Sequence, residues 1–133
     1  MIIGIGSDLA NIERIRATLE KHGAHFVQRV FAPAERTKAS KKADAAASYA
    51  KRFAAKEACA KALGTGIGHN AAFREMCVVN LSSGKPTMVL SGNALKRLKK
   101  ITPKGAKAVI HLSLSDDKPF AQAVVIIEAL PVG

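Results

Sequence analysis

Tryptophan is missing from this 133-residue chain, tyrosine occurs once, and aromatic residues make up only 5% of it. A single-strand nucleic-acid binder stacks bases on aromatic rings, so the chain is poorly supplied for that task. Two cysteines, Cys59 and Cys77, are too few and too far apart for a disulfide framework, and no Cys/His group has zinc-site spacing. Both read as small buried residues. No apolar run approaches the roughly 20 residues of a membrane span, so no membrane partner is expected. The start, MIIGIGSDLA, has neither a basic leader nor a cleavage pattern, and the expectation is a cytoplasmic protein.

Acidic residues are scarce as well: ten Asp and Glu stand against twenty-one Lys and Arg, a formal charge of +11. Such an excess should attract a polyanion, whether nucleic acid, an acidic protein or a phosphorylated substrate. Charge alone does not choose among them. The length suits a single domain, 1–133, with a real core and a large share of exposed surface.

Residues 2–8, IIGIGSD, read as a short apolar strand whose alternation puts Gly4, Gly6 and Asp8 on one face. Asp8 then ends the strand beside a surface that glycine leaves open. Either Asp8 or Asn11 can cap the following helix, whose Ile12, Ile15 and Leu19 line an apolar stripe and whose terminator is Gly23. Phe26, Val30 and Phe31 read as core contacts, and Pro33 can open another helical segment. A Lys/Ala/Ser-rich stretch, 40–47, precedes a long helix that starts near Asp44 and ends about Leu63, with Gly64 as C-cap. In the second half, CVVNL and PTMVL flank SSGK as a hairpin, and ALKRLKKI forms a helix with Leu95, Leu98 and Ile101 on one face. AVIHLSLS at 108–115 alternates, Asp116, Asp117 and Lys118 make a turn, and FAQAVVIIEA returns as an apolar strand. The fold class predicted is α+β, a mainly antiparallel sheet packed against a long helix and shorter ones.

The long helix carries the anomaly. At about 100° per residue, positions 50, 53, 54, 57, 58 and 61 fall in one arc, which places Glu57 and Lys61 among Ala50, Phe53, Ala54 and Ala58. A carboxylate on such a face must be paired, hydrogen-bonded or metal-bound, because burying it alone costs several kcal/mol. The plain alternative is an i,i+4 pair of Glu57 with Lys61, worth roughly 0.3 to 0.5 kcal/mol when exposed.

Asp8, Glu57, Lys61 and His111 form the set that could carry chemistry. Two carboxylates from a strand and a helix could hold Mg2+, which keeps waters and substrate phosphates in its shell. Lys61 could neutralise a phosphate beside it, as could Arg52 and Lys56. A backbone amide cluster touching phosphate is a further option at Gly64 to Gly68. The order of elements is wrong for a P-loop, and Gly4 and Gly6 lack the third glycine of a dinucleotide fingerprint. No serine sits in a GxSxG elbow. His111, on the polar face of its strand, is open to either a structural or a chemical role.

At these residues the chain resembles the holo-acyl-carrier-protein synthases, bacterial phosphopantetheinyl transferases. The resemblance is carried by GIGSDLANIERI at 4–15, RFAAKEACAKALGTG at 52–66, GKP at 84–86, and HLSLSDD followed by AQAVVIIE near the C-terminus. It departs in one place, with Asp116 where the commoner form has a His after SxS. The resemblance implies transfer of 4'-phosphopantetheine from coenzyme A to a serine of apo-acyl carrier protein, with adenosine 3',5'-bisphosphate released. It implies Asp8 and Glu57 as Mg2+ ligands, Glu57 as the group activating the serine directly or through a water, and Lys61 as a phosphate contact. Arg52, Gly64, Gly66, Pro86 and His111 would belong to the coenzyme A site, Arg14 would face the carrier protein, and the assembly would be a homotrimer with sites shared between subunits. The alternative carried alongside is a small basic nucleic-acid-binding module, whose binding would be salt-sensitive and independent of the two carboxylates.

Overall fold

The computed structural model describes residues 1–132. The chain runs β1 (Ile2–Asn11), α1 (Ile12–Val30), α2 (Pro33–Ser40), α3 (Ala45–Ala62), a single 3-10 turn (Phe73–Glu75), β2 (Met76–Asn80), β3 (Pro86–Leu90), α4 (Gly92–Ile101), β4 (Ala106–Asp117) and β5 (Phe120–Pro131). All strand pairs are antiparallel, but they form two sheets rather than one, a three-stranded sheet in the order β1-β5-β4 and a separate hairpin of β2 and β3. No helix among the described residues is long and apolar enough to cross a membrane.

Helix α3 is the centre of the molecule. Half of its eighteen residues are alanine, the best helix former, and the short side chains let it lie close on the sheet. Gly4 and Gly6 make that approach possible: a Cβ at Gly4 would stand 2.2 Å from the Ala62 carbonyl oxygen, and one at Gly6 would stand 2.0 Å from that of Ala58. The open strand face read from the sequence is therefore the seat of a helix. Burial extends around most of α3, including Ala55, Lys56, Cys59 and Ala60, so the single apolar arc was too narrow a description.

Local signals decide the helix ends. Asn11, not Asp8, caps α1, accepting from the N–H groups of Glu13 at 2.9 Å and Arg14 at 3.1 Å. Asp44 caps α3 through the Ala47 N–H at 3.1 Å, and Pro33 opens α2 at its first turn. Gly23 does not terminate the first helix. It puts a kink in it, at φ 39°, after which the helix resumes to Val30. The turn after β4 is also tighter than the sequence suggested, since Asp116 and Asp117 are paired with Ala121 and Phe120 inside the strands.

Five of the six aromatic rings are spent on packing. Phe26, Phe31, Tyr49, Phe53 and Phe73 form a chain of contacts between α1, α3 and the 3-10 turn, with ring centroids 4.8 to 6.3 Å apart. Cys59 is buried as expected, and burial pushes its thiol up to about 12, which leaves it inert; Cys77 is only half-buried.

Candidate active site

Asp8 and α3 meet because β1 lies along that helix. Lys61 Nζ donates to Asp8 Oδ1 at 3.1 Å and to the Ser7 carbonyl oxygen at 3.0 Å, linking the strand to the last turn of α3. Glu57 stands one turn earlier, half-buried, and its carboxyl is pushed above the usual range by burial first and by the charge of Asp8 second, with Lys61 pulling the other way. No hydrogen bond or ion pair to Glu57 occurs among the described residues, so the i,i+4 pair with Lys61 is not formed. The three residues picked from the sequence as catalytic thus share one locality: two carboxylates and one ammonium.

Lys56, weighed from sequence as a phosphate contact, has another job. Fully buried, it donates to Glu35 Oε1 at 2.7 Å, to the Met76 carbonyl at 2.5 Å and to the Phe73 carbonyl at 3.1 Å, while Glu35 Oε2 accepts from the Val78 N–H at 3.1 Å. This pair ties α2, α3, the 3-10 turn and β2 into one body. Sequence reasoning missed it because nothing marks Glu35 and Lys56 as partners beyond their opposite charge. Glu75, at the end of the 3-10 turn, accepts from the Ala72 and Asn93 N–H groups at 3.0 and 2.8 Å and so serves the start of α4.

The remaining candidates lie elsewhere on the chain. Arg52 is buried, with Nη1 donating to the carbonyl and hydroxyl oxygens of Ser48 and with Nε lacking any partner. It lines a recess of about 380 Å3 together with Lys38, Lys42, Lys51, Pro86 and Asp116. Asp116, standing where the commoner family form has His, is held by Lys51 at 3.1 Å. Pro86 also borders a second recess of about 440 Å3 with His111, Lys85, Leu114 and Ile126, and His111 Nε2 lies 3.0 Å from Glu128 Oε1. Neither recess is lined by Asp8, Glu57 or Lys61.

Gly64 and Gly66 take positive φ, 80° and 67°, in the turn after α3. The N–H of Gly64 goes to the Lys61 carbonyl, those of Thr65 and Gly66 to Ala60, and that of Gly68 to Ala71. A phosphate cradle made of these four amides is therefore not on offer, since each is already satisfied. Arg14, in the first turn of α1, is exposed.

A family model described as the 4'-phosphopantetheinyl transferase superfamily matches residues 4–123. The chain belongs to the holo-acyl-carrier-protein synthase family of phosphopantetheinyl transferases. As a member of that family it is an enzyme. Among curated relatives, the holo-[acyl-carrier-protein] synthase of Phenylobacterium zucineum is 66% identical over 131 residues, 98% of this chain and 95% of the relative. That of Caulobacter vibrioides is 61% identical over 131 residues, covering 98% of both. The crystal structure of the Neisseria meningitidis synthase aligns with a TM-score of 0.84 at 35% identity, covering 96% of this chain and 99% of that one. The Helicobacter pylori synthase, in complex with coenzyme A, aligns with a TM-score of 0.79 at 30% identity, covering 93% and 99%. The phosphopantetheinyl transferase-like α+β fold expected from the sequence is the fold this family shares.

Proposed function

We propose that this synthase transfers 4'-phosphopantetheine from coenzyme A to a serine of apo-acyl carrier protein, releasing adenosine 3',5'-bisphosphate, with Mg2+ held by Asp8 and Glu57. The observation that carries the reading is the meeting of Asp8, Glu57 and Lys61, with Glu57 unpaired and its carboxyl raised. The relatives support it by name, and the Helicobacter pylori structure by its bound coenzyme A.

The donor set fits a divalent cation. Two carboxylates offer hard oxygen ligands and the repulsion between them is what a cation would relieve, though no third His, Cys, Asp or Glu joins them among the described residues. Water and phosphate oxygens would complete the shell. When bound, Mg2+ would offset charge on the pyrophosphate oxygens.

The chain's own residues do the rest. Glu57 would take the serine proton, directly or through a water. The serine oxygen forms a bond to the β-phosphorus, the bond from that phosphorus to the bridging oxygen breaks, and the bridging oxygen leaves with the bisphosphate. Lys61 is placed to meet negative charge as it builds on the transferred group. Arg52, with a buried unpartnered Nε and three lysines around its recess, would take a coenzyme A phosphate, with Pro86, His111 and the Gly64–Gly66 turn lining the ligand. Arg14 would meet the acidic carrier protein.

A homotrimer with shared sites belongs to the same proposal, as does a cytoplasmic setting. The sheet face turned away from α3 carries Ile5 and Leu9, 67% and 57% exposed, beside half-buried Val124 and Ile126. Such a surface calls for cover. The separation of Asp8, Glu57 and Lys61 from the recesses of Arg52, Pro86 and His111 is explained if one chain supplies the first group and its neighbour the second. The nucleic-acid alternative gains no support from rings committed to packing.

The test is incubation of the enzyme with coenzyme A and apo-acyl carrier protein, with and without Mg2+, followed by intact-protein mass spectrometry. A gain of one phosphopantetheine on the carrier only with Mg2+ is the expected result. No gain with Mg2+ present would sink the proposal.

A further inference from the structure

One end of the three-stranded sheet gathers cations and aliphatic side chains in a way the transfer reaction does not use. Val132 donates its N–H to the Gly105 carbonyl at 2.9 Å, Ala129 and Met1 exchange backbone hydrogen bonds of 2.7 and 3.1 Å, and Lys107 is in register with Leu130. These bonds bring the first residues of β1, the end of β5 and the α4–β4 loop together. Met1, Ile2 and Val132 are 72%, 63% and 62% exposed there. A recess of about 320 Å3 beside Gly105 is walled by Lys99, Lys104 and Lys107.

None of these three lysines forms an ion pair among the described residues. No acidic residue occurs in sequence between Glu75 and Asp116, and Glu128, opposite Ile2 and Val109 in register, is turned to His111. Among the described residues, the three lysines therefore meet no carboxylate within ion-pair distance, and they outnumber Glu128, the one acidic side chain in register near them.

We propose that this end of the molecule docks on the surface of an anionic phospholipid bilayer. Lysines draw the protein toward phosphate headgroups over about a Debye length, and short aliphatic side chains beside them enter the headgroup layer. Lys99, Lys104 and Lys107 supply the first contribution, and Met1, Ile2 and Val132 the second. The contact is peripheral: the apolar side of α4, Leu95, Leu98 and Ile101, is packed against the core, so the helix does not insert. Lipid fits better than nucleic acid because no ring is exposed here for stacking. Phe120, an exposed aromatic, sits at the opposite end of the sheet beside Asp117.

The test is co-sedimentation of the full chain with vesicles of phosphatidylcholine alone and with vesicles of equal parts phosphatidylcholine and phosphatidylglycerol. Binding is expected to the anionic vesicles only, to weaken with added salt, and to fall about tenfold or more in Lys104→Glu/Lys107→Glu. Lys21→Glu/Lys41→Glu, with the same net charge change elsewhere, should bind nearly as the parent, and Ile2→Ser/Val132→Ser should weaken binding without any charge change. Transfer to soluble carrier protein should be unaltered in the Lys104/Lys107 variant. Equal loss in both charge variants, no preference for anionic vesicles, or release of the enzyme from vesicles by RNA or by carrier protein through these lysines would overturn the proposal.

Discussion

Lys61 Nζ and Asp8 Oδ1 lie 3.1 Å apart although 53 positions separate them in sequence, and this contact fixes the end of α3 against β1. Glu57 is left without a partner beside it. A carboxylate with a neighbouring like charge and no donor is costly for stability and useful for chemistry.

Glu57→Gln is therefore expected to lower transferase activity by about a hundredfold or more while leaving the fold intact. The folded-state value of Glu57 is raised, so its contribution to stability is fully present below the unfolded-state value and is lost as pH rises through the folded one. At neutral pH the glutamine variant should unfold no more easily than the parent, and the parent alone should gain stability from this site on acidification. In melts run without Mg2+, that gain should begin at a higher pH than an ordinary carboxylate would give. Turnover and thermal melts across pH check both; parental turnover by the variant would remove Glu57 from the mechanism.

Lys56→Met should destabilise the protein by about 3–5 kcal/mol, because it leaves Glu35 charged and buried with the Phe73 and Met76 carbonyls short of a donor. Adding Glu35→Gln should return part of that loss. Urea unfolding of the two variants measures it, and a loss below about 1 kcal/mol would mean that water reaches the pair.

Gly6→Ala places a methyl group 2.0 Å from the Ala58 carbonyl oxygen, so α3 must move off β1. The expected cost is about 1–3 kcal/mol, accompanied by a fall in activity, since Asp8 rides on the strand and Glu57 and Lys61 on the helix. Gly84→Ala meets no neighbour but would hold alanine at φ 89°, so it should cost about 1–2 kcal/mol while leaving activity unchanged.

If sites are shared between subunits, a variant lacking Glu57 and a variant lacking Arg52 should each be inactive alone and regain part of the activity when unfolded and refolded as a mixture. Each mixed assembly would contain some interfaces with both groups intact. A mixture as inactive as its parts would place both groups in one chain's site.

Arg14→Glu, on an exposed first turn, should raise KM for the carrier protein about tenfold or more with little change in KM for coenzyme A. Steady-state kinetics varying one substrate at a time separate the two. Equal effects on both would argue against a carrier-binding surface there.

Local physics makes much of this chain legible from the order of its residues. Side-chain period puts Gly4, Gly6 and Asp8 on one strand face, Asn11 and Asp44 are placed where helix caps are needed, and alternation marks β4 and β5. Those features depend on neighbours within a few residues, which the sequence states directly. The pairing of charges does not. Lys56 and Lys61 sit on the same helix five positions apart, yet one is buried against Glu35 and the other reaches Asp8, because a through-space contact depends on which distant element the helix happens to face. The same reason governs the division into two sheets and the opening of Arg52, Pro86 and His111 onto recesses that the carboxylates do not line. The sequence by itself determined most of the elements, the cap at Asp44 and the residue types of the site; the packing of α3 on Gly4 and Gly6 decided which of those residues meet.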